Sequence, residues 1–287
     1  MKYAWIEEQG DQFAVSRLCR VLRVSRTGYL QWRARAPSSR KRSNDKLGAQ
    51  LRIIHAENGR SYGRIRLWKA LSAQGQRVGQ ERVRRLMKLN GLRSVYRRPY
   101  RITTRSDHLN PVAENLLNRR FYQSAVDRAW VADITYIPTG EGWLYLATVL
   151  DLASRRIVGW SMAGRMPAKL ICDALAMAYF RRKPAVGLVV HSDRGVQYAS
   201  DAYRMQLAQY RMVQSMSRKA NCWDNAPMES FFKTLKVERV HQCRYQTRDQ
   251  ARSDIVNWIE GFYNSRRMHS ALNYQSPVQF ERQLRAA

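Results

Sequence analysis

The chain has 287 residues, room for one or two compact domains, and its 45% hydrophobic content excludes global disorder. Lys and Arg number 51 against 22 Asp and Glu, a formal net charge of +29 that points to a polyanionic partner. The best apolar run, residues 143–150, is far short of the ~20 residues a bilayer helix needs; no secretory signal is visible at the start, and four scattered cysteines (Cys19, Cys172, Cys222, Cys243) lack the CxxC spacing of a zinc module, so a reduced, cytoplasmic chain is expected.

In chain order, Val15, Leu18, Cys19 and Leu22 follow the spacing of one buried helical face. Ser25 is placed to cap a second helix, and arginines at 17, 20, 23, 26 and 33 surround the pair. This predicts a helix-turn-helix, although any small helical hairpin has the same pattern. Residues 34–44 (ARAPSSRKRSN) read as a linker. A second helical group follows, with Leu47, Leu51 and Ile54 on one face, Ile65, Trp68 and Leu71 on another, and Val83, Leu86 and Met87 on a third. Gly75 and Gly91 punctuate the last two helices, whose outer faces carry Arg64, Lys69, Arg82, Arg84, Arg85 and Lys88. Residues 93–110 are basic, aromatic and poor in core pattern, as expected of an extended connector. Residues 1–125 hold 28 basic against 8 acidic side chains, and residues 126–287 hold 23 against 14. A lopsided excess of this size favours nucleic acid over a merely solvated basic surface or an anionic membrane.

At about residue 126 the pattern changes. Residues 130–137, 143–152 and 156–162 are strand-like runs joined by short turns, which predicts an antiparallel meander. A helix over 167–182, a strand over 187–192, a helix over 200–211, a strand over 212–216 and a helix over 224–240 make a mixed α/β sheet. A helix over 250–264, with Ile255, Trp258, Ile259 and Phe262 on its apolar face, is expected to close the domain. The tryptophans at 130, 143 and 160 read as sheet core.

Three carboxylates sit in awkward places: Asp133 in the middle of the first strand, Asp193 at the exit of an apolar strand, and Glu229 on a helix with core residues Met228, Phe231, Phe232 and Leu235. Singly, each fits an ordinary cap or salt bridge; converging, they would repel unless divalent cations neutralise them. Oxygen ligands select magnesium or manganese, and two such ions suit phosphoryl transfer. Asn225, Glu229, Lys233 and Lys236 share one helical spacing, which reads either as a metal ligand beside phosphate contacts or as a solvated Glu–Lys pair. Asp151 orders a turn toward Arg155 or adds a fourth carboxylate. His191 contacts the site or packs as a hydrogen-bonded core histidine, and His269, with Arg266 and Arg267, touches DNA or anchors the C-terminal helix.

Asp133, Asp193 and Glu229, with 35 residues between the last two, form a D…D(35)E arrangement. Together with WVADITYIPTGEGWLYLATVLDLASRRIVGWSM, HSDRGVQYAS, NCWDNAPMESFFKTLKVE and YNSRRMHSALNYQSPVQFE, it resembles the B-frame DDE transposases of two-reading-frame bacterial insertion sequences. These have a retroviral-integrase-like core. The string IHAENGRSYGRIRLWKAL resembles that family's helix-turn-helix-like segment. The resemblance implies a ribonuclease-H-like mixed-sheet catalytic core preceded by small all-α helix-turn-helix-like DNA-binding segments. The expected division is a helix-turn-helix-like segment over 1–35, a second over 43–100, a connector over 101–125, the core over 126–240 and a C-terminal helical extension over 241–287. It further implies that Asp133, Asp193 and Glu229 hold two magnesium ions, with manganese able to substitute. Lys236 would contact end DNA, Asp224 and Asn225 would shape the site, and Lys233, Arg64 and Arg85 are further DNA-contact candidates. The implied chemistry is nicking at the element's ends, then attack of the freed 3′-hydroxyl on another phosphodiester. Implied partners are the terminal inverted repeats, target DNA, other copies of the chain, and an upstream-frame protein fused to it or assisting it, on the nucleoid. Ala220 departs from the glycine expected before Asn-Cys-Trp-Asp-Asn. Two other readings stand beside it: a DNA-binding regulator with an idle α/β domain, and a different nuclease on the same core.

Overall fold

The computed structural model describes residues 1–95, 112–218 and 222–286. The part of the predicted connector up to residue 111, and Ala220, lie outside them. Residues 1–52 form one compact unit and residues 53–287 a second.

In the first unit, α1 (Lys2–Gln9), α2 (Val15–Val21) and α3 (Arg26–Ala34) bury Ile6, Leu18, Cys19 and Tyr29 together. The Ser25 hydroxyl accepts the Gly28 N–H at 3.2 Å and caps α3 as predicted. Two features differ from the sequence reading. Helix α1 was not anticipated, because Lys2–Gln9 exposes most of its side chains and carries almost no apolar stripe. The linker expected over 34–44 is short, since α4 (Ser39–Glu57) already begins within it. There the Ser38 hydroxyl accepts the Lys41 N–H at 3.2 Å, and the arginines and lysine that follow are good helix formers.

In the second unit, α5 (Arg64–Ala73) and α6 (Gln80–Leu89) pack on each other through Leu67, Leu71, Val83 and Leu86. Leu67 takes the buried position expected of Ile65, which lies exposed at the helix start. A five-stranded sheet follows: β1 (Ala129–Thr139), β2 (Gly142–Asp151) and β3 (Ile157–Ala163), then β4 (Val189–Ser192) and β5 (Val213–Met216). Its order is β3-β2-β1-β4-β5, with the first three strands antiparallel and β4 and β5 parallel to β1. The helices α7 (Ala168–Arg182), α8 (Asp201–Gln209), α9 (Ala226–Glu238), α10 (Arg248–Val256) and α11 (Pro277–Ala286) complete it.

Alternation along β1 splits the core in two. Val131 and Ile137 face Met228, Phe231, Leu235, Ile255 and Ile259, whereas Trp130 and Ala132 face Leu170, Ala174, Leu175 and Leu207. Each fully buried Val, Ile, Leu, Phe or Met among them contributes about 1.5–3 kcal/mol. Helix α7 comes so close to β3 that a Cβ on Gly159 would stand 2.2 Å from the Ala174 carbonyl oxygen, which only glycine tolerates. The last predicted helix runs on from α10 as a π-helical segment over Asn257–Asn264, and α11, not that helix, ends the fold. Arg182, nearly buried, bridges Asp127 at 2.7 Å and Glu281 at 2.5 Å, fastening α11 to the start of β1. Among the described residues no helix is long and apolar enough to cross a membrane.

Candidate active site

The strand pairing decides where the first two carboxylates fall. Ala132 of β1 pairs with Ser192 of β4 in parallel register, so Asp133 and Asp193 come next on neighbouring strands. One Asp133 oxygen accepts the Ile134 N–H at 2.7 Å, and one Asp193 oxygen accepts the Gly195 N–H at 2.9 Å. Glu229 comes from the first turn of α9, whose start Pro227 favours and whose apolar face seats on the sheet. Asp133, Asp193 and Glu229 are half-buried.

Burial raises the Asp133 pKa well above the carboxylate range, the negative charges of Asp193 and Glu229 raise it further, and the Ile134 N–H and Lys236 ammonium oppose them. Burial also raises Glu229, with Lys233 opposing. Burial lowers the Lys236 pKa, opposed by Tyr136 and by the Asp133 carboxylate. Arg64 and Arg85 belong to α5 and α6, are exposed, and are not among the groups that set the Asp133 charge.

Asn225 does not lie on the α9 face expected for it. It ends a 3₁₀ turn over Cys222–Asn225, is buried, and reaches the Ala132 carbonyl oxygen at 3.5 Å through Nδ2. Its Oδ1 has no hydrogen-bond partner among the described residues. The Tyr198 hydroxyl is likewise buried and without a partner there, and the charges of Asp133 and Asp193 help burial raise its pKa well above normal. Tyr198 lies inside HSDRGVQYAS, but no pattern in that string signals its role. Among the described residues no three His, Cys, Asp or Glu side chains stand close enough to enclose one ion. By chemistry the candidates, three carboxylates and an amide oxygen that lacks a partner among the described residues, are nevertheless an all-oxygen donor set suited to a hard cation.

The remaining candidates fall into structural places. Asp151 is fully buried and accepts the Ser154 N–H and hydroxyl at 2.8 Å and the Asp127 N–H at 2.8 Å, so it orders the β2–β3 turn. His191 is buried between the hydroxyls of Ser215 at 2.9 Å and Ser217 at 3.2 Å. His269 packs edge-on to Tyr263, with 4.8 Å between centroids, and Arg267 forms a nearly buried pair with Glu238 at 2.6 Å. Trp130 is core and Trp160 half-buried, but Trp143 is 48% exposed, because it stands near the hairpin tip beyond the covering helices.

Three family profiles match the chain: an integrase core domain over residues 123–222, an HTH-like domain over 42–100, and a second integrase core domain over 229–284. The Shigella sonnei insertion element IS600 uncharacterized 31 kDa protein is 45% identical over 92% of this chain and 97% of its own length. Transposase InsF for insertion sequence IS3A of Escherichia coli strain K12 is 42% identical over 98% of each chain. A chain of the simian T-cell lymphotropic virus intasome overlaps more loosely, with a TM-score of 0.48 and 14% identity over 82% of this chain and 74% of that one. With an integrase core in ribonuclease-H-like strand order, an HTH-like domain, and relatives this similar along nearly the whole length, the chain belongs to the B-frame, integrase-core DDE transposases of bacterial insertion sequences.

Proposed function

We propose that this DNA transposase, a DDE polynucleotidyl transferase, nicks the ends of its insertion element and joins the freed 3′-hydroxyls to target DNA at Asp133, Asp193 and Glu229. The observation that carries the assignment is the parallel β1–β4 register, which sets Asp133 and Asp193 side by side just past the pair Ala132 and Ser192, with α9, the helix that bears Glu229, packed on β1. Two magnesium ions, with manganese able to substitute, supply activation of the attacking hydroxyl and stabilisation of the leaving oxygen. Asp133, Asp193 and Glu229 provide the oxygen ligands, and the rigid β1–β4 pair fixes the spacing of the first two. Asn225 offers its free amide oxygen to the same region. Lys236 and Lys233, half-buried on α9, hold phosphates of the bound end, and water and a DNA hydroxyl approach along the same in-line path.

Residues 1–35 and 43–100 bind DNA, with Arg64 and Arg85 exposed on α5 and α6 for phosphate contacts. Residues 126–240 perform the chemistry, and 241–287 brace them through α10 and α11. The working form is an oligomer on paired ends, assisted by or fused to the upstream-frame protein, on the nucleoid in the cytoplasm. The test is incubation of labelled end DNA with the chain, alone and fused, in magnesium, manganese or EDTA. Metal-dependent nicks and joined products are expected. DNA bound but unchanged in every metal, in both forms, would favour a DNA-binding regulator; nicking without joining or end preference would favour a different nuclease.

A further inference from the structure

A cavity of about 340 Å³ lies against α9, ample for a tetrahedral oxyanion with bound water. Ser230 and Thr234, four apart on α9, line it, whereas Glu229 and Lys233 lie on another face of that helix. Three arginines from distant parts of the chain also line it: Arg66 of α5, Arg155 of the β2–β3 turn and Arg267 after the π-helical segment. No Asp or Glu is among the described residues that do so.

The guanidiniums crowd one another. Arg267 donates to Glu238 at 2.7 and 2.6 Å, and the same Glu238 Oε1 stands 4.0 Å from Arg66. Arg267 Nη1 lies 3.5 Å from Nε2 of His269, which lines the cavity too. Burial, and then the charges of Arg267, Arg66 and Arg155, push the His269 pKa down to about 2. One neutral ring therefore feels all three arginines. Burial and then the Arg267 charge lower Arg66, with Glu238 opposing. Burial lowers Arg155, opposed by Tyr263 and by the Asp151 carboxylate. Glu238 is already held by Arg267, and the Asp151 oxygens accept from Ser154 and Asp127. Two carboxylates outside the cavity wall thus face three guanidiniums that cannot deprotonate. Such an excess is costly to bury unless an anion completes it. Arginine forks match the oxygens of a phosphate group, and the exposed Ser230 hydroxyl adds a donor.

We propose that this cavity is a phosphate-binding site distinct from the carboxylates, in which Arg66, Arg155 and Arg267 hold one phosphate group. That group is a free phosphate or one of the DNA backbone, the same oxyanion from two sources. Arg66 belongs to the HTH-like domain and the other two arginines to the integrase core, so an anion here ties α5 to the core. The inference goes beyond the transposase reading and needs no metal.

The probes are inorganic phosphate and a blunt DNA duplex, each titrated into the full chain in EDTA, with chloride holding ionic strength constant. Wild type should bind phosphate saturably and melt at a higher temperature in it, an effect that chloride does not reproduce. Arg66→Met and Arg155→Met, which keep the apolar stem, should weaken binding roughly 10- to 100-fold, the worth of one charge-assisted hydrogen bond. Arg66→Lys, which keeps the charge without the fork, should fall between. Arg282→Ala, exposed on α11, controls for loss of charge alone. Weakened duplex binding in the methionine variants assigns the site to a backbone phosphate; weakened phosphate binding alone assigns it to the free ion. Both probes bound by the methionine variants as by Arg282→Ala would overturn the site. No strand chemistry is expected in EDTA, so either result leaves the transposase reading standing.

Discussion

Asp224 accepts two hydrogen bonds from the Arg218 guanidinium, Nε to Oδ2 at 3.0 Å and Nη2 to Oδ1 at 2.9 Å. Arg119 adds a third at 2.9 Å, Asn115 a fourth at 2.8 Å, and the Arg218 N–H a fifth at 3.0 Å. These bonds, led by the Arg218 side chain, hold the buried Asp224 carboxyl far below the usual carboxylate range. Asp224 directly precedes Asn225 and the first turn of α9, which carries Glu229, so the cluster fixes the entry of the third carboxylate. Asp224→Asn should therefore slow single-turnover cleavage about 10- to 100-fold, the scale of residues that orient a ligand from behind. Affinity for end DNA should stay near wild type; a DNA-binding defect of equal size would contradict this positioning role.

The raised pKa of Asp133 has a consequence for stability. The folded chain holds this proton more tightly than the unfolded chain, so folding gains from the group at acidic pH. The gain is lost as pH rises through the folded pKa. Without divalent cations, Asp133→Asn should melt higher than wild type at neutral pH. Magnesium should stabilise wild type by about 2.7 kcal/mol at a hundredfold excess over its Kd, and Asp133→Asn far less. Thermal melts in EDTA and in a magnesium series check both; equal shifts in the two proteins would remove Asp133 from the ligand set.

His191 titrates in the other direction. Burial between Ser215 and Ser217 lowers its pKa to about 4, with the Asp224 charge and a backbone contact opposing. The unfolded chain takes up this proton at about 6.5 and the folded chain does not, so stability present above that pH is lost as it falls toward 4. Over that window one proton is worth up to ~1.4 kcal/mol per pH unit. Urea unfolding at pH 7, 6 and 5 should show a smaller acid loss for His191→Gln than for wild type.

Much of this architecture is legible in the sequence, for identifiable reasons. Strands β1 to β3 are long runs of β-branched and aromatic residues, and α7 has apolar positions on a helical period, so their existence follows from pattern alone. The placement of Asp133, Asp193 and Glu229 is unusual for charged residues in apolar surroundings, which singles them out. Less legible are features set by tertiary context. Helix α1 buries only Ile6, and α11 is held by Glu281 through Arg182, a pairing between residues 99 positions apart. Trp143 is as apolar as Trp130, and only the reach of the helices over the sheet decides that one is exposed and the other buried. Tyr198 buries an unpartnered hydroxyl in the core beside Trp130 and Tyr203, a placement no local motif encodes.

Arg64 and Arg85 give a graded test of DNA capture. Both are exposed on helices of the HTH-like domain. Duplex binding should weaken steeply with salt, since a protein with six phosphate contacts loses about 10³-fold between 50 and 200 mM. Arg64→Ala and Arg85→Ala should each lower the slope of log affinity against log salt by about 1, across unrelated sequences. An unchanged slope would take that arginine off the phosphate backbone.

The most direct measurement is strand nicking and joining on labelled end DNA in magnesium, with wild type and Asp193→Asn side by side. Asp193 carries the test because it directly follows β4, next to Asp133 across the strand pair, without anchoring either hydrophobic core. Wild type should give nicked and joined products and the mutant a loss of ~10³-fold or more, the scale seen when one member of a catalytic unit is removed. DNA binding and melting temperature should stay close to wild type. Equal product from both proteins, with DNA bound by both, would contradict it.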